Sequence, residues 1–492
     1  MVHLSVVLGI SAVVLLVAVL GIRFSHRLGL PSLLLYLGIG LALGESGIGI
    51  RFDNAPLTQA LGIAALVLIL TEGGLTTRWQ TVKPAVGLGI VLSTVAVGVN
   101  VVVTGAALHL LLSLDWRTAL LWGAVLSSTD AAAVFSVLRG IGVSRRLAGA
   151  LELESGMNDA PVFIAVVLLA GTDSMSWTTP LLVLYELVAG AVTGAVLGWG
   201  GSWLLRRAAL PATGLYPLAT VAVCLLAYAA GDLEHGSGLL ATYVCGLVLG
   251  NSHLPHRSDT LSFAEGFGWL SQIGLFVLLG LFASPPRVLT AVVPGLVAGA
   301  VVVLLSRPLS VVLASLPFRV PWREQAFLSW SGLRGAVPIV LALISLTEGR
   351  PGAQELFGAV FVLVVVLTLV QGSTLPAMAR LLGLAESVSQ DELEIDSAPL
   401  DRLDAEVIQV RVRPGSRLHG VYLNELRLPY GATISLVVRD EEAFTPHGRT
   451  RLREGDELLV VATDAVRDAA ERRIRAVDQA GRYARWKGVA DS

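Results

Sequence analysis

The chain has 492 residues, 54% of them hydrophobic and 15% charged, with a formal net charge of −2. A mean hydropathy of +0.73 excludes an ordinary soluble protein. The near balance of charge removes any case for nucleic-acid binding.

Apolar runs of ~17–25 residues divide the first part of the chain into thirteen expected spans. They cover residues 4–22, 29–48, 56–75, 84–112, 117–138, 147–171, 179–204, 214–231, 236–252, 262–284, 288–315, 324–346 and 354–382. The first run lacks a basic flank and is followed by further spans, so it reads as a retained helix rather than a signal peptide. Cys224 and Cys245 lie in apolar runs and read as small hydrophobes, with no disulfide or metal framework.

Lysine and arginine test the count. One alternate set of loops and span ends, including Arg307, holds 14 of them; the other set, Arg51, Arg117, Arg287 and Arg350, holds 4. This positive-inside bias places the N-terminus outside and the C-terminal part in the cytoplasm of a cell-membrane protein.

Charge then divides the chain. Residues 385–492 hold 36 of the 72 acidic and basic side chains. The expected organisation is a transmembrane domain over 1–385, an acidic linker over 386–400 that reads as a flexible tether, a cytoplasmic domain over 401–478 and a tail over 479–492. Alternation at Val407–Val412, short apolar runs at Ile434–Val438 and Glu457–Val461, and a helical pattern over Asp464–Val477 make the cytoplasmic domain a small α+β unit.

Three polar clusters sit where the bilayer would be. Ser127-Ser128-Thr129-Asp130 interrupts the fifth span, and such residues favour caps and turns over helix interiors. Ser331 to Pro338 interrupts the twelfth with two glycines and a proline, and supplies a cation, Arg334. Paired interrupted spans in the two halves of a transporter point to the substrate site. The sixth span carries Glu154-Ser155-Gly156-Met157-Asn158-Asp159. A charge at mid-membrane costs at least ~2.5–3.5 kcal/mol, so such residues mark ion sites and proton relays.

Asp159 is thirteen residues from Arg146, ~20 Å along a helix, and so near mid-membrane. Ser155 and Asp159 share one helix face, and Glu154 and Asn158 a neighbouring one. Asp130, Asp159, Ser155 and the Thr129 carbonyl can supply oxygen ligands to a monovalent cation. A site that takes either a proton or a cation exchanges one for the other. Arg334 can neutralise one carboxylate, Glu154 being the preferred partner. Glu72 stands at a span end, as either a vestibule residue or a solvated one. Glu152, Glu186, Glu265 and Gln272 read as structural or vestibule residues, and His26, His235, His253 and His256 as solvated.

Together these motifs resemble the monovalent cation:proton antiporter family, in its NhaP-like branch. Thr129-Asp130, Glu154-Ser155-Gly156-Met157-Asn158-Asp159 and Gly332 to Pro338 carry the resemblance, with Glu72-Gly73-Gly74-Leu75 as a fourth segment. It implies an all-α polytopic membrane fold of inverted repeats with two discontinuous, crossing helices, assembled as a homodimer. It also implies Asp159 as the principal proton- and cation-binding carboxylate, with Asp130, Thr129 and Ser155 around it. Glu154 and Arg334 would form a structural ion pair, and Asn158 would go with electroneutral one-for-one exchange. The C-terminal part resembles a TrkA-C (RCK-C) regulatory domain, some of which bind a small ligand such as cyclic di-AMP. Family members with this tail lean toward potassium.

The expected activity is K⁺/H⁺ exchange, with Na⁺/H⁺ exchange as the alternative. The expected partners are a cation, a proton and membrane lipid, and no cofactor is called for. An RCK-regulated channel is the more distant reading, since no run of filter carbonyls such as Thr-Val-Gly-Tyr-Gly occurs. An intramembrane enzyme using Asp130 and Asp159 would lack a nucleophile or metal cluster.

Overall fold

The computed structural model describes residues 2–28, 31–45, 47–130, 143–171, 178–384, 395–400, 405–413, 415–439, 442–463 and 466–481. The chain forms two units, residues 1–386 and 387–492. Among its described residues the first is built of helices with short irregular joins, as lipid demands: backbone groups there find no water and must bond within the segment.

Among the described residues, eight helices or helical segments are long and apolar enough to cross a membrane. They are Ala55–Thr76, Trp79–Leu112, Arg146–Ala170, Thr179–Arg207, Leu215–Leu233, Arg257–Phe282, Val292–Phe318 and Ala353–Leu381. Shorter apolar helices run over Leu8–Arg23, Ser32–Leu43, Gly238–Gly250 and Ala336–Thr347. The protein is therefore a multi-pass membrane protein. Ten of the twelve residues of Ala336–Thr347 are buried, which makes this helix the interior post of the unit. Thr179–Arg207 lies at the periphery and packs on Gly238–Gly250 through glycines. A Cβ on Gly190 or Gly194 would sit 2.4 Å or 2.3 Å from the backbone oxygen of Ser237 or Ala241.

Three irregularities position the site. The helix Trp116–Val125 ends early, and residues 126–130 run on without helix. The expected remainder of that span, 131–138, lies outside the described residues. The helix Trp322–Trp330 also ends early, and residues 331–335 are irregular before Ala336–Thr347 begins. The sixth segment, expected as one helix, spans Arg146–Ala170 with one irregular turn at Asn158, between Arg145–Met157 and Asp159–Ala170. Pro161 explains that turn, because it has no N–H to give the Met157 carbonyl four residues back.

The second unit is a five-stranded antiparallel sheet of order β1-β2-β5-β3-β4. Its strands are β1 (Ile395–Leu400), β2 (Ala405–Arg411), β3 (Ala432–Arg439), β4 (Glu442–Phe444) and β5 (Glu457–Thr463), followed by a helix over Arg467–Ala480. Ile408, Val410, Val437, Leu458, Val460, Ala470 and Ile474 form its core. Beside them the fully buried Asp456 carboxylate accepts from Arg439 Nε at 2.7 Å and Nη2 at 2.8 Å. The tether reading of residues 386–400 needs correction at its end. Residues 395–400 add β1 to the open edge of β2, with Ile395 opposite Val410 and Leu400 opposite Ala405. Edge pairing uses backbone groups, so an acidic composition does not prevent it.

Candidate functional site

The two interruptions meet. The Asp130 backbone N–H donates to the Leu333 carbonyl at 2.8 Å. Arg334 donates through Nη1 to the Ser128 carbonyl, and its own carbonyl accepts from Thr368 Oγ1 at 3.1 Å. The contact is close enough to require glycine. A Cβ on Gly335 would lie 1.8 Å from Asp130 Oδ2. The paired unwound backbones satisfy each other, which is how irregular chain survives at membrane depth.

The residues around Asn158 lie at the same junction. Ser128 Oγ donates to Asp159 Oδ1 at 2.8 Å. Thr129 Oγ1 lies 3.1 Å from Ser155 Oγ and also accepts from Asn158 Nδ2. Ser128, Thr129, Glu154, Ser155, Asn158, Asp159 and Arg334 are all buried, while Asp130 is half-buried with its carboxylate against Gly335. Asn158 Oδ1 and Arg334 Nε and Nη2 are buried without a hydrogen-bond partner among the described residues.

One expectation needs revision here. Glu154 and Arg334 do not form the ion pair. The Glu154 carboxylate is held by both terminal nitrogens of Arg307, Nη2 at 3.0 Å, and Arg307 Nη2 also donates to the Leu328 carbonyl at 3.1 Å. A buried carboxylate takes the cation that can meet it with two parallel bonds, and Arg334 is committed to the Ser128 carbonyl.

Arg307 is the residue that sequence reasoning misplaced. It lies inside the segment Val292–Phe318 and is buried, not at a loop or span end. A π-helical turn over Val302–Ser306 precedes it. Pro308 leaves the Leu304 carbonyl without its usual donor, which accounts for the local widening. An arginine flanked by Ser306, Pro308 and Ser310 within an apolar run was the available signal. Glu72 lies on Ala55–Thr76, half-buried, with its side chain over Gly268 of Arg257–Phe282.

The family described as "Sodium/hydrogen exchanger, transmembrane" matches residues 13–381. The chain belongs to the sodium/hydrogen exchanger family. It is accordingly a transporter rather than an enzyme, and the resemblance seen in its motifs holds. A TrkA-C domain matches residues 407–475, within the second unit.

Curated relatives extend the match over both units. The chain is 35% identical over 463 residues to the "K(+)/H(+) antiporter NhaP" of Alkalimonas amylolytica, covering 92% of this chain and 80% of that one. It is 37% identical over 470 residues to the "K(+)/H(+) antiporter NhaP2" of Shewanella sp. (strain MR-4), covering 92% and 81%. Identity to the "Na(+)/H(+) antiporter ApNhaP" of Aphanothece halophytica is 29% over 417 residues, covering 80% and 78%. Among solved structures, the sodium proton antiporter MjNhaP1 from Methanocaldococcus jannaschii aligns with a TM-score of 0.67 at 21% identity. That alignment covers 77% of this chain and 98% of that one, so the exchanger fold is shared.

Proposed function

We propose that the protein exchanges a monovalent cation for a proton, potassium before sodium, by alternating access to the junction of its two interrupted segments. The observation that carries this reading is the Ser128–Asp159 hydrogen bond inside that junction. It holds a buried carboxylate beside hydroxyl and amide oxygens. Glu154 is already neutralised by Arg307, so it does not compete for the cargo.

Charge supports one-for-one exchange. Asp130, Asp159 and Glu154 stand against Arg307 and Arg334, which leaves one negative charge when both aspartates are ionised. A single proton or a single monovalent cation restores neutrality, and burial penalises the state with neither. The donorless Asn158 Oδ1 would suit a dehydrated cation. In this reading Asp159, Asp130, Ser155 and Thr129 hold the ion, Asn158 stands uncharged beside them, and Glu72 lines the approach. Potassium comes first because the relatives at 35% and 37% identity are named for it, while the one named for sodium is 29% identical.

The finer architecture is part of the proposal. Thirteen spans form inverted repeats whose fifth and twelfth members cross. The N-terminus lies outside, the second unit lies in the cytoplasm, and the protein works as a homodimer in the cell membrane. Residues 401–478 regulate exchange, with a small nucleotide such as cyclic di-AMP as the ligand class. Everted vesicles carrying a pH-gradient dye test the activity. Adding K⁺, Na⁺ or Li⁺ should release the gradient, and no response to any of them from folded protein would refute exchange.

A further inference from the structure

The helix that starts at Asp159 ends at Ala170, and two arginines hold that far end. Arg117 Nε donates to the Leu169 carbonyl at 3.0 Å, and its Nη2 donates to Leu168 at 3.3 Å and to Gly171. Arg350 Nε donates to the Ala170 carbonyl at 2.6 Å, and its Nη2 donates to Leu169 at 3.3 Å and to Gly171. Between them they reach every carbonyl from 168 to 171. A helix end leaves its last carbonyls unsatisfied and carries partial negative charge, so two guanidiniums answer both needs.

The origin of the two side chains matters more than their number. Arg117 lies in the first turn of Trp116–Val125, and Arg350 lies just after Ala336–Thr347. These belong to the same two interrupted segments that meet at Asp130 and Leu333. The Asp159–Ala170 helix is therefore tied to them at both ends. Ser128 bonds Asp159 at its start, and Arg117 and Arg350 grip its last turn, ~17 Å away at 1.5 Å per residue. A helix is stiff along its axis, so its far-end anchorage sets the height of its first residue.

We propose that Arg117 and Arg350 are positioning residues for ion exchange, setting where Asp159 stands against Ser128, Thr129 and Asp130. The inference rests on reading Asp159 as the exchanging carboxylate. Both arginines grip the helix ~17 Å along its axis from that carboxylate, so their effect travels through the helix. They share the Leu169 and Gly171 carbonyls, so each covers part of the loss of the other.

The test uses full-length protein in proteoliposomes, with the half-saturating K⁺ concentration, the maximal rate and the melting temperature measured together. The double variant Arg117→Gln/Arg350→Gln should raise half-saturating K⁺ about tenfold, below the ~100-fold that a 1 Å misplacement can cost. The two single variants should together account for less than the double. The double variant Arg117→Lys/Arg350→Lys, which keeps charge and donors but loses both forks, should fall between wild type and the double glutamine variant. If this double lysine variant folds and leaves half-saturating K⁺ at the wild-type value, the proposal is overturned, whatever the glutamine variants do to stability. If Asp159→Asn still exchanges, the underlying reading of the site fails instead.

Discussion

Arg307 and Glu154 face each other as a fork and a carboxylate inside the helical unit, with 3% and 2% of their side chains exposed. This pair neutralises one carboxylate of the 154–159 run, which under the proposed function leaves Asp159 to the cargo. Removing one partner strands the other charge in an apolar interior. Glu154→Gln or Arg307→Gln should each destabilise the protein by roughly 3–5 kcal/mol, read as a drop in melting temperature of the solubilised protein. Exchanging the two residues should recover part of the loss. Exchanging Glu154 with Arg334 should recover none, and recovery there would restore the pairing first expected from the sequence.

Gly335 is a steric requirement of the junction. Its hydrogen occupies the space where a Cβ would meet Asp130 Oδ2 at 1.8 Å. Gly335→Ala should reduce exchange by about tenfold or more, with helix content unchanged by circular dichroism. Gly274→Ala, where nothing lies within 4 Å, is the control and should exchange normally.

Asp115 caps the helix that leads to Ser128, its side chain accepting from the Thr118 N–H at 3.0 Å. The Thr118 hydroxyl and N–H hold this carboxyl below its ordinary value of 3.8. A lowered folded value means that the cap contributes fully above about pH 4 and is lost as the pH falls below that. Asp115→Ala should cost roughly 1 kcal/mol or less at neutral pH, and the difference from wild type should vanish in acid. A constant difference across pH would contradict the cap.

In the second unit, Asp456 holds Arg439 through two bonds and also accepts from the Arg453 N–H at 2.8 Å. Asp456→Ala should destabilise this unit by about 3 kcal/mol, seen as earlier proteolysis after residue 386. Basal exchange by the first unit should persist.

Much of this was legible because polar residues stand out in apolar runs. The Ser127–Asp130, Glu154–Asp159 and Ser331–Pro338 clusters were each visible as local violations, and the structure brings members of all three together. The strands at 407–412, 434–438 and 457–461 showed in the short apolar and alternating runs of a charged region. What was hidden depended on distance in sequence. Arg307 looked like one more cation near a span end, because a linear count cannot see a π turn or a partner 153 positions away. Arg117 and Arg350 entered the charge bias as minority loop residues, yet their side chains bond helix-end carbonyls. The irregular turn at Asn158 followed from Pro161, whose effect is local but was masked by the polar run before it. β1 was hidden because backbone pairing leaves little trace in composition.

In the proposed mechanism Asp159 carries the exchanged proton and cation. The most direct test compares wild type and Asp159→Asn in everted vesicles at matched protein levels, following dye dequenching on addition of K⁺. Wild type should respond and the variant should not, with both proteins folded and equally stable in detergent. Exchange retained by Asp159→Asn would contradict this role.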